Sequence, residues 1–267
     1  MFYSELSPST LLLAYVRKYW FLEGFSGTEA STVERILPDG CTELIIHYGQ
    51  PFRKIDGNNQ NQQETAFVFG QLDRFIDLLP GQNIGVMGVR FHPWGLNQFI
   101  KIPAANLKGE AVSLKDLFGN AEQELVDKIL ESTNVKQKAE IMDRFLMNHF
   151  KNKTSYPGIS SIIDLIKHHE GSLSIDRLTR MTGHSERQLE RYFYNEIGLS
   201  PKSFSRILRF QNVLRLATKA RSLTDLALSA GYYDQAHFSR EFTEIAGNSP
   251  RNYFKGEKGI NGLFFEA

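Results

Sequence analysis

Cysteine is almost absent from this chain of 267 residues, in which Cys41 stands alone. A single thiol excludes an internal disulfide and a zinc site built from several thiolates of one chain, and it fits a reducing compartment. No run approaches the roughly 20 apolar residues that span a bilayer, and the first residues lack the pattern of a secretion signal. We therefore expect a cytoplasmic protein without a membrane partner.

A large net charge is also missing, because 31 Lys and Arg residues face 30 Asp and Glu residues. The balance is uneven along the chain: residues 1–155 carry 16 basic and 18 acidic side chains, and residues 156–267 carry 15 and 12, for nets of −2 and +3. Whole-chain neutrality is therefore no argument against a polyanionic partner of the second half. The length and the 41% hydrophobic content favour two packed domains.

Short segments rich in β-branched and aromatic residues crowd the first hundred residues, at 32–37, 42–48, 65–72, 75–79 and 84–91. Each is bounded by Gly, Pro, Asn or Asp, which is typical of antiparallel strands. They predict a small antiparallel β barrel or sandwich. Between two of them the polar run 56–64 offers nothing to bury, and we expect a mobile loop there.

Helical spacing replaces this pattern after about residue 105. It predicts a helix over 113–131 with a break at Gly119, and a second helix over 135–150. The two helices would either pack on the sheets or pair with a second subunit. The polar segment 151–158 ends in Pro-Gly and is interpreted as a linker. It separates a first domain at 1–150 from a helical domain at 159–257, which is followed by a tail at 258–267.

Residues 175–204 and 223–253 form an internal repeat of helix, turn and helix. Gly183 and Gly231 are placed to end the first helix of each unit, and Ser185 and Asp234 are placed to cap the second. Further equivalent pairs are Leu178 and Leu226, Leu189 and Phe238, Phe193 and Phe242, Gly198 and Gly247, and the Ser-Pro steps at 200–201 and 249–250. Such a unit can place its second helix in a DNA major groove, but helical hairpins also serve as scaffolds.

Three stretches carry a family resemblance: HSERQLERYFYNEIGLSPKSF, LRFQNVLRLA and SLTDLALSAGYYDQAHFSREFTEIAGNSPRNYF. Through them the segment 159–255 resembles the DNA-binding domain of AraC/XylS-type bacterial transcription regulators. The resemblance implies an all-α domain whose two helix-turn-helix units, joined by a helix at about 201–218, enter successive major grooves. Thr179 and Lys255 depart from the small apolar residue and the Arg that the family usually has. The implied partners are double-stranded DNA and, for an activator, RNA polymerase.

The stretch RILPDGCTELIIH resembles part of a cupin-like regulator barrel. Together the two resemblances imply an α+β protein of two domains, in which a cupin-like antiparallel barrel or sandwich with a helical hairpin precedes the helix-turn-helix domain. Residues 1–150 would then sense a small-molecule effector or form a homodimer. The protein would be cytoplasmic, and associated with the nucleoid when bound to DNA.

The resemblance also implies which residues touch DNA, through helices near 185–197 and 234–246. For the first helix these are Arg187, Gln188, Glu190 and Arg191, and for the second they are Gln235, His237, Ser239 and Arg240. The charge distribution, and not the resemblance, adds Arg206 and Arg209 of the connecting helix, which would face phosphates or form a solvated helix face. Arg pairs with guanine, Gln with adenine, and Glu accepts from cytosine. The alternative is a solvated face of mutually paired charges, including a pair between Arg240 and Glu244.

Charge differs between the two repeat units. Residues 173–221 carry ten Lys and Arg against four Asp and Glu, a net of +6, whereas residues 222–257 carry three against five, a net of −2. Phosphate neutralisation supplies most of the sequence-independent affinity for DNA. We therefore expect the first unit and the connecting helix to dominate binding.

The first domain suggests an effector site more weakly. Its candidate lining residues are Tyr48, Phe67, Phe69, Phe91 and Trp94, although aromatic residues at strand positions also build plain cores.

Asp39, Glu43, His47 and His92 are the residues that most resemble a metal set, but they lack the spacing of enzymatic cupins. We expect no catalytic residue, no metal and no cofactor. Two alternatives stay open: a cupin-like small-molecule enzyme with a helical docking domain, and a ligand-independent regulator whose first domain only dimerises.

Overall fold

The computed structural model describes residues 1–25, 32–151, 156 and 158–255. Within these ranges, the first part of the chain forms ten strands. They are β1 (Phe2–Leu6), β2 (Val16–Phe25), β3 (Glu34–Ile36), β4 (Glu43–His47), β5 (Arg53–Asp56), β6 (Asn59–Gln62), β7 (Ala66–Phe69), β8 (Ile76–Leu79), β9 (Asn83–Phe91) and β10 (Ala111–Ser113).

The strands build two antiparallel sheets that face each other. One has six strands in the order β1-β2-β9-β4-β7-β10, and the other has four in the order β3-β8-β5-β6. Side chains from both sheets, among them Trp20, Phe67 and Leu78, pack into one cluster between them. In the described residues neither sheet closes on itself, so the expected barrel or sandwich is a sandwich.

The inner strands of the six-stranded sheet are buried on both faces. Side chains alternate along a strand, so Tyr19 and Phe21 of β2 pack on one face while Trp20 and Leu22 pack against the smaller sheet. This double burial explains why the sequence pattern missed β2, since a strand buried on both sides has a continuous apolar run without alternation.

The mobile loop expected at 56–64 is wrong. Residues 53–62 form the hairpin β5–β6, in which Arg53 pairs with Gln62 and Asp56 with Asn59. Gly57 takes the positive φ of +58° that the tight turn requires. The polar side chains stay in solvent while the backbone groups pair, so the absence of apolar residues did not exclude a strand at this edge of the sheet.

A helical hairpin covers the outer face of the six-stranded sheet. Its helices are α1 (Leu114–Phe118), α2 (Ala121–Glu131) and α3 (Val135–His149). The break expected at Gly119 is present, with φ at +63°. Ile129 and Met142 are fully buried in the cluster that contains Phe21 and Phe91, so the helices pack on the sheet, one of the two alternatives that the pattern left open.

The rest of the described chain is helical. Its helices are α4 (Ile159–His168), α5 (Ile175–Thr182), α6 (Glu186–Glu196), α7 (Pro201–Leu216), α8 (Leu223–Ser229), α9 (Gln235–Ala246) and α10 (Pro250–Tyr253). No helix in the described ranges is long and apolar enough to cross a membrane. Most of the segment interpreted as a linker, and the whole tail at 258–267, lie outside the described residues.

These helices form two apolar clusters, one for each repeat unit. Leu189 and Phe204 belong to the first, and Phe210 and Phe238 belong to the second. Because Phe204 and Phe210 both lie on α7, this one helix contributes to both cores. It is the structural link between the units.

A buried histidine in the sandwich should make stability depend on pH. His47 lies between the rings of Phe52 and Phe67, and one ring nitrogen meets Gln63 Oε1 at 3.2 Å. Burial lowers the pKa of His47 to about 4, against the weaker opposing effect of the hydrogen bond with Gln63. Its unfolded pKa is about 6.5, so the unfolded chain binds more protons between these values.

The stability that neutral His47 provides is therefore complete above about pH 6.5 and is lost as the pH falls towards 4. We expect the loss to reach about 2 kcal/mol at pH 5. Urea unfolding at pH 7.5 and pH 5 should show a smaller difference for His47→Leu than for the wild type. Identical differences for the two proteins would contradict the assignment.

Candidate nucleic-acid interface

The first helix-turn-helix unit consists of α5 and α6. Ser174 caps α5 by accepting from Arg177 N, and Gly183 ends it in a left-handed conformation with φ at +72°. Ser185 then caps α6, and Gln188 closes a capping box by accepting from Ser185 N at 2.9 Å. These caps keep the turn between the helices short. The predicted roles of Gly183 and Ser185 are confirmed.

The second unit consists of α8 and α9. Asp234 caps α9 through a 2.7 Å hydrogen bond from His237 N, and Gly231, two residues beyond the end of α8, has φ at +81°. Gln235 Oε1 accepts from Thr224 Oγ1 at 2.7 Å, which ties the start of α9 to α8. The second unit therefore repeats the local chemistry of the first, with Asp in place of Ser at the cap.

One face of each second helix is buried and the other is exposed. Leu189 and Phe193 of α6, and Phe238 and Phe242 of α9, are fully buried. The other face of α6 presents Arg187, Gln188, Glu190 and Arg191, which are all exposed. On α9, Gln235 and Arg240 are exposed, while His237 and Ser239 are half-buried. The structure thus brings the candidate DNA-contacting residues of each helix onto its outward face.

Two of these side chains have internal tasks. The carboxamide oxygen of Gln188 also accepts from Ser185 Oγ at 3.0 Å, and that of Gln235 is bound to Thr224. The amide nitrogen of each side chain is therefore the group left to donate to an outside acceptor. On α6, partial burial and then the nearby Glu186 charge raise the pKa of Glu190.

Arg206 and Arg209, expected to face phosphates, bind a buried carboxylate instead. Arg206 Nε donates to Glu241 Oε2 at 3.0 Å, and Arg209 Nη2 donates to Glu241 Oε1 at 3.0 Å. The hydroxyl of Tyr232 donates to the same carboxylate at 2.8 Å. Only 7% of the Glu241 side chain is exposed. Both arginines therefore hold α9 on α7 and are engaged within the protein.

The expected alternative of an ion pair between Arg240 and Glu244 is replaced by another pairing. Glu244 Oε2 accepts from Arg206 Nη2 at 2.6 Å. Sequence reasoning also missed Tyr233, which lies in the turn before α9 and is 89% exposed. Its position in the turn directly before the Asp234 cap, outside the helix pattern, was the signal that could have identified it.

The five effector candidates do not lie together. Phe67 and Phe69 pack between the two sheets, whereas Phe91 packs on the opposite face of the larger sheet, with the helical hairpin. Tyr48 donates from its hydroxyl to Glu23 Oε1 at 2.8 Å. Trp94 packs against the core of the first helix-turn-helix unit. The five candidates were grouped because they are aromatic. The alternation of side chains along the strands puts Phe67 and Phe91 on opposite faces of the sheet, and Trp94 lies beyond the sheet at the helical domain.

The residues that resembled a metal set have other contacts. Arg90 binds both Asp39 and Glu43, the latter at 3.1 Å, and Trp20 Nε1 donates to the same Glu43 oxygen at 3.2 Å. His92 stacks on Trp94 with ring centroids 5.2 Å apart. Among the described residues, no group of three or more His, Cys, Asp or Glu side chains is arranged to hold a metal ion.

Comparisons with known proteins agree with this geometry. Residues 178–256 match the family described as a helix-turn-helix domain, and residues 4–113 match a domain of unknown function, DUF6597. The sequence resemblance stated for the C-terminal domain is thereby confirmed.

Two curated relatives and one solved structure illustrate the similarity. The HTH-type transcriptional regulator MtrA of Neisseria gonorrhoeae is 33% identical over 87 residues, 32% of this chain and 29% of the relative. An uncharacterized HTH-type transcriptional regulator of Staphylococcus aureus is 29% identical over 97 residues, 36% of this chain and 13% of the relative. The chain thus covers less than a third of the length of either relative. The structure of ToxT from Vibrio cholerae aligns with 90% of this chain and 99% of its own, at 11% identity and a TM-score of 0.49.

The Glu241 network leads to a stability prediction. Glu241→Gln removes the charge that neutralises Arg206 and Arg209, which leaves two arginines at a partly buried site. Loss of one partner of a buried ion pair costs about 3 kcal/mol. We expect a decrease of that order in the free energy of unfolding, measured with urea. Glu244→Gln is the matched control, because 67% of the Glu244 side chain is exposed and a surface pair contributes about 1 kcal/mol or less. Equal losses would contradict the role of Glu241.

Proposed function

We propose that this chain, whose C-terminal domain is a helix-turn-helix domain of the AraC type, is a transcription regulator that binds specific DNA sequences. The observation that carries the proposal is the pair of units with outward polar faces on α6 and α9. Helix α7, which joins them, has 16 residues and is about 24 Å long. A spacer of this size suits two recognition helices placed about one turn of DNA, roughly 34 Å, apart.

Base reading would be concentrated on α6. The exposed guanidinium groups of Arg187 and Arg191 can each pair with guanine, and the Glu190 carboxylate can accept from a cytosine amine. Gln188 would contribute through its amide nitrogen. On α9, Gln235 and Arg240 would read bases, while the half-buried His237 and Ser239 would meet phosphates or bridging waters.

Internal ion pairs reduce the basic surface that is available to DNA. Of the ten Lys and Arg residues in 173–221, Arg206 and Arg209 are engaged by Glu241, Arg215 by Glu170, and Arg180 by Asp176. The last two pairs are exposed and can exchange for phosphates at low cost. The first two cannot do so without leaving Glu241 unpaired. The exposed cations outside these pairs are Arg187 and Arg191 of α6 and, around it, Arg177, Lys202, Lys219 and Arg221. We therefore place the main electrostatic contribution on these side chains and not on the middle of α7, which corrects the expectation for the connecting helix.

The two units should differ in their contribution to affinity. A target is first selected from random DNA with the full-length wild type, and binding is then measured at several salt concentrations. Arg187→Ala with Arg191→Ala should weaken binding at least about tenfold more than Gln235→Ala with Arg240→Ala, because each bidentate Arg–guanine contact contributes about 1–3 kcal/mol. The first pair should also reduce the salt dependence, because it removes two exposed cations from the surface that faces the polyanion.

All four side chains are exposed, although Gln235→Ala also removes the hydrogen bond from Thr224. The unfolding midpoint of each variant is therefore measured as the control, and both are expected to stay folded at the temperature of the binding assay. Equal losses of affinity in the two variants would reject the asymmetry but keep the function. Absence of sequence-specific binding by the wild type would reject the function itself.

The other expected properties stay predictions. A small-molecule effector would act by changing the populations of arrangements that bind DNA differently. The scattered positions of the five aromatic candidates do not support a shared effector site among them. Contact with RNA polymerase and a homodimer are further predictions. The enzyme alternative has less support, because Asp39 and Glu43 are engaged by Arg90.

A further inference from the structure

The C-terminal end of α9 is held by the N-terminal domain. Phe75 N donates to Ile245 O at 2.8 Å, and Arg35 Nη1 donates to Ala246 O at 3.0 Å. Both acceptors belong to the last turn of α9, where carbonyl groups lack a partner within the helix. The two hydrogen bonds therefore give these carbonyl groups the donors that the backbone of α9 cannot provide.

Other groups of the N-terminal domain orient Arg35 for this contact. Its Nε and Nη2 donate to the two carboxylate oxygens of Asp77, each at 2.8 Å, and its guanidinium lies 3.9 Å from the centre of the Phe75 ring. Only Nη1 is directed at the helix end. The approach is close: a Cβ atom added at Gly247 would lie 2.3 Å from the Phe75 ring. The domains are packed here without space for another side chain.

The C-terminal end of α6 is held in a similar way at a different place. Asn97 Nδ2 donates to Glu196 Oε2 at 2.8 Å, and both side chains are buried. Asn97 lies in a 3₁₀ turn at Leu96–Gln98 that follows β9. Two residues after Glu196, a Cβ atom at Gly198 would lie 2.7 Å from Ala104 O. Each recognition helix thus ends against the N-terminal domain.

One loop of the N-terminal domain runs along α7 and contacts the cores of both helix-turn-helix units. We call residues 37–40 the interdomain loop. Leu37 is buried in the core of the second unit, Pro38 O accepts from Gln211 Nε2 at 2.5 Å, and Gly40 lies against the ring of Phe204 in the first unit. The loop follows the helix that separates the two units.

The interdomain loop is itself anchored in the sandwich. Gln71 Nε2 donates to Gly40 O at 2.9 Å in a buried hydrogen bond, and Asp39 pairs with Arg90 of β9. Cys41 N donates to Asp39 Oδ1 at 2.8 Å and closes the turn. Displacement of the loop would leave the buried side chains of Gln71 and Arg90 without these partners, which costs free energy. The interdomain loop therefore has a defined position between the domains.

We propose that the N-terminal domain sets the separation and relative orientation of α6 and α9, and that Arg35 and Asn97 are positioning residues for DNA binding. The inference rests on the proposed function. Helix α7 joins the two units, but α6 connects to it through a short turn, and α9 is reached only after α8. Contacts at the far ends of both recognition helices restrict the rotations that these connections allow.

If the rotation of α6 relative to α9 is restricted, the affinity for DNA should depend on the spacing between the two half-sites. One base pair inserted between two half-sites moves the second by about 3.4 Å along the duplex and rotates it by about 35°. A rigidly held pair of helices cannot follow this change, whereas a loosely held pair can follow it in part. Spacing selectivity therefore reports the interdomain contacts separately from base contacts.

The experiment uses the full-length protein and a target selected from random DNA with the wild type. Sites with one or two base pairs inserted or deleted between the half-sites are compared by their Kd at one salt concentration. The test variant carries Arg35→Ala and Asn97→Ala. The matched control carries Arg74→Ala and Asn120→Ala, which remove the same side-chain types at exposed positions of the same domain.

We expect the wild type and the control to lose about tenfold or more in affinity for each single base-pair change, and the test variant to lose about threefold or less. An unchanged spacing profile in a folded test variant would overturn the inference, as would an equal change in affinity at every spacing. Arg35→Lys and Asn97→Ser, made singly, carry the same expectation if the double variant does not fold. Absence of specific binding by the wild type would overturn the proposed function, and this inference with it.

Discussion

The arrangement of the C-terminal domain depends on the ion pairs and hydrogen bonds that the buried carboxylate of Glu241 accepts. It receives Arg206 and Arg209 from α7 and the hydroxyl of Tyr232 from the turn before α9. These three donor side chains compensate the cost of removing the carboxylate charge from water. They come from α7 and from the turn before α9, whose relative position apolar packing alone would not fix. The carboxylate therefore decides which face of α9 packs on α7 and which face points outward, while the contacts at the far end of α9 restrict its orientation.

The same ion pairs reduce the number of basic side chains in the C-terminal domain that DNA could reach. Basic residues count towards nucleic-acid binding only when phosphates can reach them, and Arg206 and Arg209 are committed to Glu241. The acidic excess of the second unit is in part the counterpart of the basic excess of α7. The exposed cations of α6 are then the main candidates for the electrostatic attraction, with those of the turn regions around them.

Local chemistry was predictable from the sequence because it acts over a few residues. Ser185 and Asp234 cap their helices, Gly183 and Gly119 end helices with a positive φ, and helix spacing placed the inward residues of α6 and α9. The hairpin β5–β6 was missed because its edge strands need backbone pairing and no apolar face. The effector candidates were grouped by residue type, and the structure separates them between the two faces of a sheet and the domain interface.

An antiparallel β domain, a helical domain, the repeat and the outward residues of α6 and α9 could all be predicted from the amino-acid sequence. Each of these depends on periodicity, caps and turns, which are properties of neighbouring residues. The contacts of Arg35 and Asn97 with the ends of α9 and α6, and those of Glu241 with the arginines of α7, became visible only in the folded chain. These contacts join residues that are 211, 99 and up to 35 positions apart. No local pattern encodes such a partner, because the pairing exists only after both cores have formed.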